Sequence, residues 1–418
     1  MPLQRLKTDF GRLAYDQNGD VWNFVGFIGF SAHEALLFNT YTMAQRMSPL
    51  LTAVVAGEPR VRSVIRRSHA HKMFDAAAAE DRGDADIAGS VAVLFASGLL
   101  CWDAVPTDAL FGSLVAVGEA NLPLARLYEG HVNALYLVRT FGEPALQAEV
   151  RRDVNTNVLL GVWGADAVEP LAVDGDFLSG GKRFASGLGA VGQAVVTVGQ
   201  GTSVQLALLD VSDKARHQGA TWRKSGMRAT ASGDFDASGM PASAVRWIGA
   251  PGQYLEEPGF IGGVWRIAAV QAGGTLGLLR AAADHLAGLG RLMAEAQVAR
   301  LAPVLTRALA AAEFTRRAAA FAEGPGGARD PDRAASLSAQ ARLLTEDVGQ
   351  DAIAAVERSV GLPHFDVDAI TGRIARDLAT YMRQSARDPM LQRAGGWALE
   401  RQGVFSQLLS EEVSDARG

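Results

Sequence analysis

With 418 residues, 48% of them hydrophobic and 20% charged, the chain can bury two or three packed domains and is neither a disordered nor a repetitive polypeptide. Forty basic against forty-five acidic side chains leave a net charge of −5, so no global basic field recruits nucleic acid. The single cysteine, Cys101, excludes an internal disulfide framework and a cysteine-rich zinc site, and it suits a reducing compartment.

Along the chain, Val21 to Ala32 is uncharged for only twelve residues, whereas a spanning helix needs roughly twenty. Asp9, Asp16 and Asp20 precede it where a signal peptide carries a basic start. The sequence therefore predicts no transmembrane segment and a soluble, cytoplasmic protein. Residues 1–65 carry a dense aromatic group, Trp22, Phe24, Phe27, Phe30 and Phe38. They read as a helical extension on the main body; a partner-binding or membrane-surface segment, or a misplaced start codon, are the alternatives.

Residues 66–156 have apolar stretches at helical spacing, and 157–255 turn to β character. Val195 to Val198 runs into Gly199-Gln200-Gly201 and then Val204 to Val211, which reads as a hairpin. Residues 256–418 are rich in alanine and leucine. Leu279, Ala283, Leu286, Leu289 and Met293 form one helical stripe, with Arg280 and Asp284 on the other side. A second helix runs from about Leu301 to Phe321, started or kinked by Pro303. Gly324-Pro-Gly-Gly327 breaks the chain, Asp330-Pro331 opens a helix that Gly361-Leu-Pro363 stops, and two further helices follow, over about 368–384 and from Asp388-Pro389. The predicted order is helices, a small β domain, then a helical bundle.

Generic catalytic motifs are absent from the sequence. His69 and His71 stand two apart without a carboxylate or thiol beside them, whereas helical metal ligands stand three or four apart. Gly187-Leu-Gly189-Ala-Val-Gly192 has the spacing of a dinucleotide fingerprint. It leads into the strand-type run Gln193 to Val198 instead of a helix, so it reads as a turn between strands.

Six segments, in order, carry a resemblance: Asn121 to Leu135, Trp163 to Pro170, Phe177-Leu-Ser-Gly-Gly-Lys-Arg-Phe-Ala-Ser-Gly187, Gly226-Met-Arg-Ala-Thr-Ala-Ser-Gly233, Ala272-Gly-Gly-Thr-Leu-Gly-Leu-Leu279, and Gly372-Arg-Ile-Ala-Arg-Asp377. Together they resemble the acyl-CoA dehydrogenase superfamily of FAD enzymes over about residues 75–400. The resemblance implies a mainly α fold with a central β domain: an N-terminal helical domain, a middle β-barrel domain and a C-terminal four-helix bundle. It also implies a homodimer or homotetramer, an acyl thioester substrate, an electron-transfer partner and bound FAD.

On the same resemblance Ser186 hydrogen-bonds the flavin N5 edge, Trp163 and Phe184 supply apolar walls, and Gly361 and Arg373 belong to cofactor-binding elements. The plain structural alternatives are a turn serine before Gly187 and buried barrel aromatics. Five departures stand beside the matches. The family's catalytic glutamate follows a tyrosine beyond Arg-Asp, and here Tyr381 is followed by Met382. The second family location, Val264 to Val270, has no carboxylate, which leaves Glu129, Glu256 and Glu257 as bases without a placement. Val168 replaces a Ser or Thr, the glycine-rich pyrophosphate turn reads Gly361-Leu-Pro-His-Phe365, and the segment after the first long helix, between Asp284 and Gln297, is shortened. The leading expectation is an FAD-dependent oxidoreductase of acyl-CoA dehydrogenase type with an unidentified base. A flavin-dependent monooxygenase or oxidase, and a binding protein that has lost catalysis, are the alternatives.

Overall fold

The computed structural model describes residues 65–383, 386–401 and 408, together with 14–15 and 21–22. The chain divides into two units, Met1–Arg62 and Ser63–Gly418; in the first, β1 (Ala14–Tyr15) pairs antiparallel with β2 (Val21–Trp22). These four residues are strand, not the helix expected there. Phe24, Phe27, Phe30 and Phe38 lie outside the described residues.

The second unit opens with five helices: α1 (Arg67–Arg82), α2 (Ala88–Ala96), α3 (Thr107–Ala120), α4 (Leu122–Phe141) and α5 (Pro144–Asn155). Asn121 starts α4 as a cap, its side chain accepting from the Leu124 N–H at 3.2 Å. The same side chain donates to Glu80 at 2.8 Å, which ties α1 to the start of α4.

Strands β3 (Leu159–Trp163), β4 (Ala172–Asp174), β5 (Phe177–Ser179), β6 (Gly181–Ala185), β7 (Val191–Val198), β8 (Gln205–Asp210), β9 (His217–Gln218), β10 (Gly233–Asp236) and β11 (Arg246–Ile248) follow. They form a four-stranded sheet in the order β11-β8-β7-β3, a three-stranded sheet β6-β10-β9 and the pair β4-β5. The predicted hairpin is β7-β8, with Val195 opposite Leu208, while β3 lies parallel to β7. The continuous apolar run in β7 is buried on both faces. One face packs on the helices: Ala134, Val138, Leu146 and Val150 of α4 and α5 meet Leu160, Val195, Leu208 and Ile248.

The C-terminal part contains α6 (Trp265–Gly288), α7 (Glu295–Glu323), α8 (Pro325–Arg329), α9 (Pro331–Val360), α10 (Ile370–Tyr381) and α11 (Arg387–Glu400). Helices α6, α7, α9 and α10 pack together as a bundle, and α6 also lies along α3. The glycines of the Ala-Gly-Gly segment permit that crossing. A Cβ on Gly273 would stand 2.3 Å from the Val115 carbonyl, and one on Gly277 would stand 2.5 Å from that of Glu119.

Asp330 caps α9 by accepting from the Arg333 N–H at 3.1 Å, and Gly361 stops it at φ 76°. Two expectations need correction. Helix α6 ends at Gly288, so Leu289 and Met293 leave the predicted stripe and are exposed. Pro303 lies inside α7, eight residues past its start at Glu295, so of the two expected roles it does not start the helix. Among the described residues no helix is long and apolar enough to cross a membrane.

Candidate functional site

Two of the sequence segments, Phe177–Gly187 and Gly226–Gly233, meet at the end of β6. Three of the five non-glycine residues with positive φ among the described residues lie in them: Phe184 (56°), Met227 (55°) and Ala231 (45°). Such conformations cost about 1–3 kcal/mol each and concentrate where geometry serves a ligand. The Gly187 N–H donates to the Thr230 carbonyl at 2.8 Å and Leu188 N–H to that of Ala231 at 3.0 Å, which clamps the two turns together.

Ser186 stands at this junction, half-buried. Its Oγ accepts from Ser232 Oγ at 3.2 Å; Ser232 touches Thr230 Oγ1 at 2.7 Å, and Thr230 donates to the Met227 carbonyl at 2.6 Å. With the single Ser232 proton directed at Ser186 and the Thr230 proton on the Met227 carbonyl, the O–H of Ser186 is left as a donor for an outside acceptor. Trp163, 2% exposed, lies beneath: its Nε1–H donates to the Ser186 carbonyl at 3.1 Å and its ring tilts against Phe235 at 5.4 Å. It braces the turn from below and does not line an open wall. Phe184 is 43% exposed, with Trp222 edge-on at 6.2 Å and the Arg183 guanidinium 4.2 Å from its centroid. Arg223 and Lys224, which follow Trp222, are exposed, and so is Val168.

The Gly226 turn docks on α10. The Met227 N–H donates to Asp377 Oδ1 at 2.6 Å, and a Cβ on Gly226 would stand 2.1 Å from the Arg376 carbonyl. Arg228 holds Asp81 of α1 with two hydrogen bonds, at 3.1 and 2.9 Å, and Arg376 reaches the same carboxylate at 3.4 Å. Arg373 is buried here, its Nη1 3.8 Å from Asp377 Oδ2 and its Nε without a hydrogen-bond partner. Burial pushes the Asp377 carboxyl up to about 6, against the Met227 N–H and the Arg373 charge, which pull it down. The Gly-Met-Arg and Arg-Asp motifs thus join the helical and β parts at one point. Gly361 keeps open space around its Cα, with Leu362 and Phe365 exposed beside it.

Two of the three carboxylates considered as bases, Glu129 and Glu257, are engaged by neighbouring groups, and the family's glutamate position holds a thioether. Met382 is fully buried, and its Sδ lies 2.5 Å from where a Cβ on Gly349 would stand, so it fills the gap over that glycine between α9 and α10. Glu129 is buried, bonded by Arg126 at 2.7 Å and by Asn133. Glu257 Oε2 accepts from the N–H groups of Ile261 and Gly262 at 2.8 and 3.0 Å, and Glu256 lies exposed in the same loop. His71 pairs with Asp75 at the surface, and no metal-binding group of three His, Cys, Asp or Glu side chains occurs among the described residues.

Sequence reasoning missed Trp222, Arg183 and Asp81. Thr230 and Ser232 were legible as alternating hydroxyls in the Gly226 segment, but Asp81 sits 147 residues from Arg228 and nothing local marks it.

No protein-family profile and no curated protein sequence matches the chain. Solved structures do. The dibenzothiophene monooxygenase TdsC from Paenibacillus sp. A11-2, determined with FMN and indole, superposes with a TM-score of 0.66 at 16% identity, covering 82% of this chain and 98% of that one. Butyryl-CoA dehydrogenase from Megasphaera elsdenii gives 0.67 at 16%, covering 79% and 96%. KijD3, in complex with FMN and a dTDP-amino-keto sugar, gives 0.67 at 18%, covering 84% and 97%. The chain has the acyl-CoA dehydrogenase fold, as its six segments suggested.

Proposed function

We propose that this chain is a flavin-dependent oxidoreductase whose flavin is reduced by a reduced nicotinamide or by a separate flavin reductase and is then reoxidised by oxygen, as a monooxygenase or oxidase, and that it does not dehydrogenate an acyl thioester. The observation that carries the choice is Met382. α,β-Dehydrogenation needs a positioned carboxylate to take the α-proton, and the side chain at that position is a thioether packed over Gly349. Oxygen chemistry at a reduced flavin needs no such base. The neighbours of this fold that are named as a monooxygenase or contain FMN support the same reading.

The residues at the end of β6 fit an isoalloxazine. Ser186 has a spare donor for an acceptor on the ring edge, held by Ser232 from the side and Trp163 from below. Phe184 and Trp222 offer apolar surface, and Arg183, Arg223 and Lys224 offer positive charge for a phosphate. The turn Gly361-Leu-Pro-His-Phe365 keeps one glycine, which suits a diphosphate poorly because side chains keep the backbone from approaching it. We therefore favour FMN over FAD. When bound, the flavin supplies two-electron redox chemistry; Ser186 orients its edge, and the Asp377–Met227 bond keeps the Gly226 turn seated behind it. The exposed apolar side chains Leu362, Phe365, Val367 and Ile370 support burial in a homo-oligomer.

Fluorescence titration of the apoprotein with FMN and with FAD tests this. FMN binds at least as tightly as FAD, and Ser186→Ala weakens it roughly five- to tenfold, the loss of one hydrogen bond. Absence of binding by either flavin rejects the reading.

A further inference from the structure

One flank of α4 carries Tyr128, Val132, Leu135, Tyr136 and Arg139, spaced three and four apart on one stripe. The stripe lines a half-open cavity of about 180 Å³, closed by the loop between α2 and α3, the first turn of α6 and the last turn of α7. Leu99, Val105 and Leu110 complete its apolar wall. For scale, an apolar cavity of about 150 Å³ takes up benzene. The flank is not the one that meets the Ser186 turn: the face of α4 toward β3 carries Leu127, which a Cβ on Gly187 would touch at 3.1 Å, and His131, whose Nδ1 accepts from the Leu160 N–H.

Two guanidinium groups line the cavity and each has a buried Nε–H without a hydrogen-bond partner. Arg266, 3% exposed, is held by Glu323 and lies 4.7 Å from the Tyr136 centroid; its Nη1 makes long bonds of 3.4 Å to Asn133 and to the Gly263 carbonyl. Arg139 donates Nη2 to the Trp102 carbonyl and lies 5.2 Å from the Trp102 ring. Both arginines line the same cavity, and neither has its full set of donors paired within the protein. Glu323 offsets one of the two positive charges. Asp103 stands at the rim with its carboxylate exposed, 3.8 Å from Arg151. The Tyr128 hydroxyl is taken by Ser113 at 2.9 Å, and burial pushes the Cys101 thiol up, so both stay neutral.

We infer that this cavity is a binding site, separate from the β6 turn, for a small organic monoanion with a ring-sized apolar body, its carboxylate or equivalent group held between Arg139 and Arg266. Two guanidinium groups at one end and an apolar wall of that size match an aromatic or branched carboxylate.

Benzoate is the probe, with benzyl alcohol as the neutral isostere, titrated into the full chain by calorimetry without added flavin. The site predicts saturable benzoate binding, with benzyl alcohol weaker by roughly tenfold or more, the worth of a charge-assisted pair. Arg139→Gln weakens benzoate by a similar factor, and Leu110→Trp, which fills the apolar end, abolishes it. If Arg139→Gln fails to fold, Leu110→Trp and the comparison of the two probes still decide. Absence of saturable benzoate binding, equal binding of both probes, or indifference to both substitutions overturns the inference, and none of these results touches the flavin reading.

Discussion

Replacing Met382 by glutamate restores the residue type that dehydrogenation needs, and the structure predicts what that costs. Position 382 is fully buried, its Sδ lies against Gly349, and the nearby Thr275 hydroxyl already donates to the Gln271 carbonyl at 2.9 Å. An unpaired glutamate in such a place titrates at about 8–9, against about 4.3 in the unfolded chain. The folded pKa is raised, so the penalty is small below about pH 4.3 and grows by about 1.4 kcal/mol per pH unit above it. At pH 7 it reaches about 4 kcal/mol, a large part of a typical stability of 5–15 kcal/mol. Urea unfolding of Met382→Glu and Met382→Gln between pH 4.5 and 8 isolates this charge term. The two variants start together and separate by about 3 kcal/mol or more at neutral pH. Coincident curves at all pH values would show a hydrated carboxylate, hence a position open to a cleft, and the argument from Met382 would fail.

Three further outcomes follow from the same contacts. Gly226→Ala drives a methyl toward the Arg376 carbonyl, 2.1 Å away, and costs about 1–3 kcal/mol in chemical denaturation; an unchanged midpoint contradicts that docking. Asp377, raised from 3.8 to about 6, contributes stability in full below pH 3.8 that is lost as pH rises through 6, about 3 kcal/mol in all. Asp377→Asn keeps an acceptor for the Met227 N–H and flattens the stability–pH curve in that window; a slope equal to the wild type refutes the shift. Phe184→Gly relieves a φ of 56° at a half-exposed ring, so stability stays within about 1 kcal/mol or rises, while flavin affinity drops. A variant that binds flavin as well as the wild type removes Phe184 from the site.

Local signals were legible and long-range ones were not. Asp330-Pro331 and Gly361 marked the two ends of α9 because a cap and a positive φ are chemistry within a few residues. The β7-β8 pair was visible in its apolar runs. The end of α6 was missed: Leu289 and Met293 continue the helical spacing, but Gly290, at φ 67°, turns the chain away. At the site, Ser186 and its hydroxyl neighbours could be read from motif spacing. The positive φ of Phe184 could not, since nothing in the local sequence marks a phenylalanine for that conformation. Arg373 reads as a cofactor-binding residue and Asp377 as the end of the same motif; in space Asp377 meets the Gly226 turn and its neighbour Arg376 meets Asp81. Sequence separation, not weak chemistry, hid that junction.

The central claim is a flavin held at Ser186 that works on oxygen without an α-proton base. The most direct measurement is anaerobic mixing of the flavin-loaded protein with butyryl-CoA and octanoyl-CoA, then admission of oxygen to a separately reduced sample. The account predicts unchanged flavin absorbance with both thioesters and rapid reoxidation in air. Bleaching by either thioester would contradict it.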